Sequence, residues 1–293
     1  MKYANAAAFR AALEARLNQE ARAGGRPIGR ARKFVAFTRL LARLQASAPD
    51  AWALKGGFAL ELRLPGLARA TRDVDLDWRA GIDDVTEALV AASRIDLGDH
   101  FEFAIVRANP TEAGGGGGVR FRAEVLLAGR QFEQLLIDVG SDKTILAPLE
   151  QLDVPDLLGF AGIDPPRFPV VSLEQHVAEK VHAYTRRYSD DRESSRPKDL
   201  IDILLMADLG AFDSGRLRSA INRVFGSRAT HPVPDALPAP PAAWAAAYRT
   251  LAAEVGLDGE LGQGFADASR FLGTVLSSQT TEARWNPASR QWQ

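Results

Sequence analysis

Two aspartates two residues apart, Asp73 and Asp75 in the run TRDVDLD, lie in a stretch that reads as a strand. Successive strand residues point to opposite faces, so both carboxylates project from the same one. Two hard oxygen donors held side by side suit Mg2+ that shares its shell with nucleotide phosphates. Just upstream, Ala51 to Leu54 is short and apolar, consistent with a buried strand. Lys55-Gly56-Gly57 then turns the chain, and Phe58 to Leu64 supplies one or two helical turns before Pro65-Gly66 stops them. Adjacent glycines let backbone approach a ligand without Cβ atoms between. The N-terminus of the helix that follows offers unpaired N–H groups to a phosphate. Taken singly, a Gly-Gly pair is an ordinary turn and an Asp-x-Asp an ordinary solvated loop; their order and separation are what join them. A third acid, Asp138, ends the apolar run Leu135-Leu136-Ile137. An unpaired carboxylate buried there would be costly; the plainer alternative is a strand-end aspartate facing water.

The elements that must position these groups follow from periodicity. Phe9, Leu13 and Leu17 stripe a helix over residues 5–23 that Gly24-Gly25 ends. Phe34, Phe37, Leu41 and Leu44 stripe a second from about Arg32 to Ala46. Between and around them, Arg22, Arg26, Arg30, Arg32 and Lys33 stand without an acid, a stretch that can grip a phosphate backbone or simply be a solvated connector. After the aspartates, Ile82 to Ser93 reads as a helix with Asp83 or Asp84 near its start, and Phe101 to Val106 as a strand. Gly114 to Gly118 is a loop with no chemistry assigned. Val119, Phe121, Ala123, Val125 and Leu127 alternate with polar residues, Ala128-Gly129-Arg130 turns, and Gln131 to Val139 returns as the hairpin partner.

The proline-rich stretch from Pro148 to Pro169 reads as a loop and marks the boundary to a helical half. Ser172 with Gln175 forms a capping box that opens a helix to about Tyr184, with Lys180 beside its apolar stripe. On its own, Lys180 is an ordinary surface lysine, and His182 is given no role. Pro197 opens another helix, where the dipole alone accounts for Asp199, and Asp202 three residues on shares its face. His231 to Pro241 reads as extended; Ala242 to Glu254 and Leu261 to Leu276 read as helices, with Trp244, Tyr248, Leu251, Phe265 and Phe271 as core. The tail after Thr280 is expected to be loosely held, and its Trp285, Arg290 and Trp292 could stack on RNA bases. No internal repeat is visible.

Bulk properties narrow the class. With 293 residues, the chain can bury one large core or two modest ones. No run has the apolar length of a membrane span, and Arg10, Glu14 and Arg16 stand where a signal peptide needs an apolar core. The absence of cysteine excludes disulfide scaffolds and thiolate zinc sites and fits a cytoplasmic protein. A net charge of −1 means that nucleic-acid binding must rest on local patches.

The phrases Lys55-Gly56-Gly57-Phe58-Ala59-Leu60 and Thr71-Arg72-Asp73-Val74-Asp75-Leu76 resemble the AbiEii/AbiGii-type toxins, a branch of the polymerase-β-like nucleotidyltransferase superfamily that includes the mycobacterial MenT group. Ala178-Glu179-Lys180-Val181-His182-Ala183 and Arg196-Pro197-Lys198-Asp199-Leu200-Ile201-Asp202-Ile203 follow in family order; Ile203 replaces the usual Leu. The resemblance implies an α+β fold: a polymerase-β-like core of mixed sheet with flanking helices over residues 49–147, N-terminal helices packed on it over 1–48, and a C-terminal helical bundle over 148–293. It implies transfer of a nucleotide from an NTP to an acceptor, in several members the 3′ end of tRNA, which blocks aminoacylation and translation. Asp73, Asp75 and Asp138 would hold Mg2+, with Asp138 alternatively taking the attacking hydroxyl's proton. Gly56 and Gly57 would cradle phosphates, Lys55 and Lys180 would offset their charge, and Arg72 and Arg196 would add contacts. Asp199 and Asp202 would position Lys180 or the nucleoside, with Asp202 favoured as the working acid. A cognate AbiEi-like antitoxin is the expected partner, and no membrane is involved. The alternatives are transfer to a protein or small-molecule hydroxyl, or a non-catalytic module that binds nucleic acid or antitoxin.

Overall fold

A computed structural model describes residues 1–25, 27–79, 84–108, 118–140, 148–186, 196–277 and 282–293. Arg26, Asp83, the glycines 114–117 and the polar stretch 188–195 lie outside the described residues. The chain forms two compact units: Met1–Pro65, Ala70–Ile145 and Leu149–Val170 make the first, and Gly66–Arg69, Leu146–Pro148 and Val171–Gln293 the second.

In the first unit, α1 (Ala6–Gly24) begins where the Asn5 side chain accepts from the Ala7 and Ala8 amides at 2.8 and 3.2 Å, and Gly25 closes it at φ 62°. Helix α2 (Ile28–Ser47) starts four residues before the hydrophobic stripe suggested, because Pro27 fixes the backbone at its N-cap. Among the described residues seven strands form one mixed sheet: β1 (Trp52–Lys55), β2 (Asp73–Trp78), β3 (Phe101–Arg107), β4 (Val119–Leu127), β5 (Arg130–Gly140), β6 (Glu150–Asp153) and β7 (Arg167–Val170), in the order β3-β4-β5-β2-β1-β7-β6. Strand pairs β2–β5 and β1–β7 are parallel and the others antiparallel. Helix α3 (Gly56–Arg63) follows β1 directly, and α4 (Val85–Ser93) joins β2 to β3.

Alternation divides the sheet. Val74, Leu76 and Trp78 of β2, Leu135, Ile137 and Val139 of β5, and Phe121, Ala123 and Val125 of β4 face one core that includes Phe9, Leu13, Phe34 and Phe37 of α1 and α2. The intervening residues of β2 (Asp73, Asp75, Asp77), β5 and β4 turn to the other face. The stretch expected to be a loop, Pro148 to Pro169, instead supplies β6 and β7. Phe168 and Val170 are fully buried and Leu54 pairs with Val170, so their burial outweighs the prolines. Pro169 has no N–H to give, consistent with the brevity of the strand.

The second unit contains α5 (Leu173–Thr185), α6 (Pro197–Leu209), α7 (Ser214–Arg228), α8 (Ala245–Val255) and α9 (Leu261–Leu276), with a small hairpin of β8 (Trp285–Asn286) and β9 (Gln291–Trp292). Ser172 caps α5 as expected, accepting from the Gln175 amide at 3.2 Å. Helix α7 was not anticipated, although Leu217, Ala220, Ile221, Val224 and Phe225 carry a helical stripe on an Arg-rich background. Trp244, Tyr248 and Phe271 are core, but Leu251 and Phe265 are only partly buried. The buried face of α9 runs through Gly264, where a Cβ would lie 1.9 Å from the Tyr248 hydroxyl, and Phe265 falls off that line. The tail is anchored rather than loose. The Trp285 indole donates to the Ala207 carbonyl at 2.8 Å, Trp292 donates to the Phe271 carbonyl at 2.9 Å, and Arg290 forks Asp208 at 3.0 and 2.7 Å. Trp285 is thereby enclosed in the protein and is not a surface on which a base can stack. Among the described residues no helix is long and apolar enough to cross a membrane.

One buried ion cluster ties α2 to the start of β3. Arg39 and Arg43 both reach Asp99 at 2.6 Å, and Arg43 also donates to the Phe101 carbonyl at 2.9 Å. Burial pushes the Asp99 carboxyl up, but the two guanidiniums more than offset this and hold it below its ordinary value. Asp99→Ala strands two buried cations, so it is expected to lower unfolding free energy by about 3–5 kcal/mol. Urea denaturation checks this; a loss no larger than that of an exposed substitution would contradict it.

Candidate active site

In the first unit, strand register assembles the acids. Asp75 pairs with Asp138 across β2–β5, with Lys55 across β1–β2, and Asp138 pairs in turn with Arg120 across β4–β5. A single row across four strands therefore reads Lys55, Asp75, Asp138, Arg120. Asp73 lies one step along β2, opposite Leu136, and Asp77 one step the other way, opposite Gly140.

Each group has a defined partner. Arg120 forks Asp138 with two bonds of 2.6 Å. The hydrogen bond to Asp138, together with the charges of Asp138, Asp73 and Asp75, raises the guanidinium's pKa against the effect of burial. Lys55 is ion-paired to Asp77, which is fully buried. The Thr71 hydroxyl donates to the Asp73 carbonyl at 3.0 Å. Gly56 opens α3 at φ 66°, and a Cβ there would lie 1.9 Å from Oδ2 of Asp75. The glycine thus makes room for a carboxylate, a role distinct from cradling phosphate. Gly57 follows it, buried in the first turn of α3. Among the described residues, no three His, Cys, Asp or Glu side chains converge as a ready metal cage.

Arg72 is exposed at the rim of a cleft of about 750 Å³ that Lys33, Arg122, Leu136 and Val106 also line. Leu136 is the register partner of Asp73, and Arg122 that of Leu136, so the cleft continues the carboxylate face across β5 and β4. Of the basic stretch near α2, Arg30 pairs with Glu61 at 2.8 Å, Arg32 with Glu14 at 2.6 Å, and Lys33 reaches Glu133 at 3.9 Å.

The second unit holds its own charge cluster. Lys180 is buried, with its ammonium 2.8 Å from Asp202 and 3.6 Å from Asp199. Arg69 forks Asp202 with two bonds of 2.8 Å, and Arg196 reaches Asp199 at 2.7 Å. Burial disfavours the charged forms of Lys180 and Asp202, yet their mutual attraction wins: the Lys180 pKa is raised and that of Asp202 held far down. Three cations, Arg69, Lys180 and Arg196, pair with two carboxylates, an excess of one positive charge.

The sequence model described as "Nucleotidyl transferase AbiEii toxin, Type IV TA system" matches residues 39–271. The chain belongs to the AbiEii family of nucleotidyltransferase toxins. Among solved structures, MenT4, a nucleotidyltransferase toxin from Mycobacterium tuberculosis H37Rv, is similar at 21% identity and a TM-score of 0.57, covering 86% of this chain and 93% of that one. JHP933 from Helicobacter pylori is similar at 15% identity and a TM-score of 0.44, over 83% of this chain and 90% of that one. The antibiotic-resistance factor ANT(2'')-Ia is similar at 17% identity and a TM-score of 0.37, over 67% of this chain and 94% of that one. No curated protein matches the chain. The AbiEii family makes the protein a nucleotidyltransferase of a toxin–antitoxin system and carries with it a nucleotide substrate and an antitoxin partner.

Sequence reasoning missed three residues of these clusters. Asp77 continues the same-face spacing of Asp73 and Asp75, a signal that was present. Arg120 shows itself only through register with Asp138, and Arg69 only through the tertiary approach to Asp202. His182, given no role, packs against Phe225 and His231, with its Nε2 2.9 Å from the Thr230 hydroxyl.

Two outcomes are expected. Gly56→Ala should lower nucleotide transfer by about 10²-fold, the order seen when one preorganised catalytic contact is lost, because the added methyl must displace Asp75; wild-type kinetics in a steady-state assay would refute the crowding. His182, pushed down to about 3 by burial and then by the neighbouring cations, binds its proton more readily when unfolded. Stability should therefore fall as pH drops below the unfolded value of 6.5 toward 3. Thermal melts between pH 7 and about 5.5, above the range of the carboxylates, should show a shallower slope for His182→Asn; an identical slope would contradict the assignment.

Proposed function

We propose that the protein moves a nucleoside monophosphate from an NTP to the 3′ end of tRNA, releasing pyrophosphate and so blocking aminoacylation and translation. The observation that carries the transferase chemistry is the register of Asp75 with Asp138 on one sheet face, with Asp73 beside them. The tRNA acceptor is supported by the resemblance to AbiEii-type toxins. Arg30 and Arg32 are engaged with acids of their own chain, so contacts to an RNA backbone fall rather to exposed cations such as Arg22 and Arg72.

The donor set fits Mg2+: Asp73, Asp75 and Asp138 offer hard carboxylate oxygens, and Mg2+ is commonly held by one or two carboxylates plus substrate phosphates. When bound, the ion polarises phosphoryl oxygens and offsets charge on the leaving group. The remaining work belongs to the chain. Asp73 and Asp75 fix where the triphosphate ends, and Gly56 keeps Asp75 in place. Asp138 serves as a further ligand or receives the proton of the attacking 3′-hydroxyl. The hydroxyl oxygen bonds to the α-phosphorus as the bond to the α–β bridging oxygen breaks. Lys55 acts through Asp77, and within the second unit Asp199 and Asp202 position Lys180 and Arg196, whose charge suits an anion. An AbiEi-like antitoxin is the partner, and the cytoplasm, where NTPs and tRNA meet, is the compartment.

The test supplies purified protein with total tRNA and each α-labelled NTP in turn. Label should enter tRNA and vanish with Asp75→Ala, while the melting temperature of that variant stays level or rises as repulsion between neighbouring carboxylates is relieved. Label in a protein or small-molecule fraction would overturn the acceptor, and full activity of Asp75→Ala would overturn the carboxylate assignment.

A further inference from the structure

We infer that Arg120 is a resident counter-cation that a divalent ion must displace from Asp138, so that this arginine sets how tightly the site takes its ion. The inference rests on the reading that Asp73, Asp75 and Asp138 receive a divalent cation.

Asp75 and Asp138 are register partners on adjacent parallel strands, which places their carboxylates side by side, about 5 Å apart at the backbone. Like charges so placed repel, and a cation must offset them. Arg120 is the register partner of Asp138 on its other side and covers both of its oxygens with bonds of 2.6 Å. Asp73 and Asp75 also act on the same guanidinium. Charge from Asp138, Asp73 and Asp75 thus bears on this arginine. A divalent ion and that guanidinium compete for the same oxygens.

Exposure makes the exchange feasible. The side chains of Arg120 and Asp138 are 25% and 30% exposed, whereas those of Arg43 and Asp99 are 1% and 0% exposed. A pair open to solvent can separate with both ends hydrated, while the enclosed one cannot. Arg120 also lies on the sheet face away from the core.

Mn2+ is the probe, titrated without nucleotide and followed by the electron paramagnetic resonance of the free ion. Wild type, Arg120→Ala and Arg120→Lys are compared. Arg120→Ala should bind Mn2+ about tenfold tighter than wild type, the order of a coupling between contacting charges. Arg120→Lys keeps the charge but cannot fork a carboxylate, so it should also bind more tightly than wild type, though with a smaller gain. It retains the aliphatic stem, so it covers the case in which the alanine variant does not fold. Equal affinity of wild type and both variants would overturn the inference and leave the carboxylate site standing. A gain for alanine with none for lysine would reduce Arg120 to a background charge and also overturn it. No Mn2+ binding by any of the three proteins would overturn this inference together with the ion site beneath it.

Discussion

The first unit depends on an arrangement that is electrostatically unfavourable by itself. Parallel pairing of β2 with β5 sets Asp75 against Asp138, with Asp73 and Asp77 on the same face of β2. Four carboxylates on neighbouring positions destabilise a sheet unless cations sit among them. The flanking strands supply one from each side, Lys55 from β1 to Asp77 and Arg120 from β4 to Asp138. Strand order therefore does chemical work. With β2 between β1 and β5, and β4 beyond β5, the acids are central and the cations lateral. A different order with the same residues would leave the charges uncompensated.

Packing on the opposite face makes that arrangement rigid. Val74 and Leu76 alternate with the acids and are fully buried, so a one-residue slip of β2 would bury carboxylates in the core. Gly56 then fixes the remaining freedom of Asp75, since its left-handed backbone and missing Cβ hold the start of α3 against that carboxylate. Hydrophobic burial thus specifies register, register specifies the charged row, and the turn specifies the carboxylate's position.

Much of this was legible in the sequence because it rests on local signals. The same-face spacing of Asp73 and Asp75, the Gly-Gly turn, the hairpin that delivers Asp138, and the Ser172 cap all depend on neighbours within a few residues. What was not legible depends on residues far apart in the chain. Arg120 is recognisable only once β4 is registered on β5, and Arg69 only once its segment meets α6. The strands β6 and β7 were hidden by prolines, since composition speaks of turns where the burial of Phe168 and Val170 prevails. The tail misled for the converse reason: polar, small and terminal residues suggest fraying, while two indole N–H groups find carbonyl partners within the protein.

Asp99, Asp138, Asp202 and Asp208 are among the aspartates forked by arginines, and burial sets two of them apart. Asp99 with Arg43 and Asp202 with Arg69 have carboxylates with no exposure at all. Separating either pair leaves a charge in a medium that cannot solvate it, so both behave as fixed parts of their unit. Asp202 additionally holds Lys180, whose ammonium lies 2.8 Å away. Asp138 with Arg120 has the same fork but stands partly in solvent, where separation leaves both charges hydrated. The same two side-chain types therefore lock α2 to β3, set the cationic cluster of the second unit, and leave one exchangeable contact in the carboxylate row. Exposure, not residue identity, separates the enclosed Asp99 and Asp202 pairs from Asp138–Arg120, which stands partly in solvent.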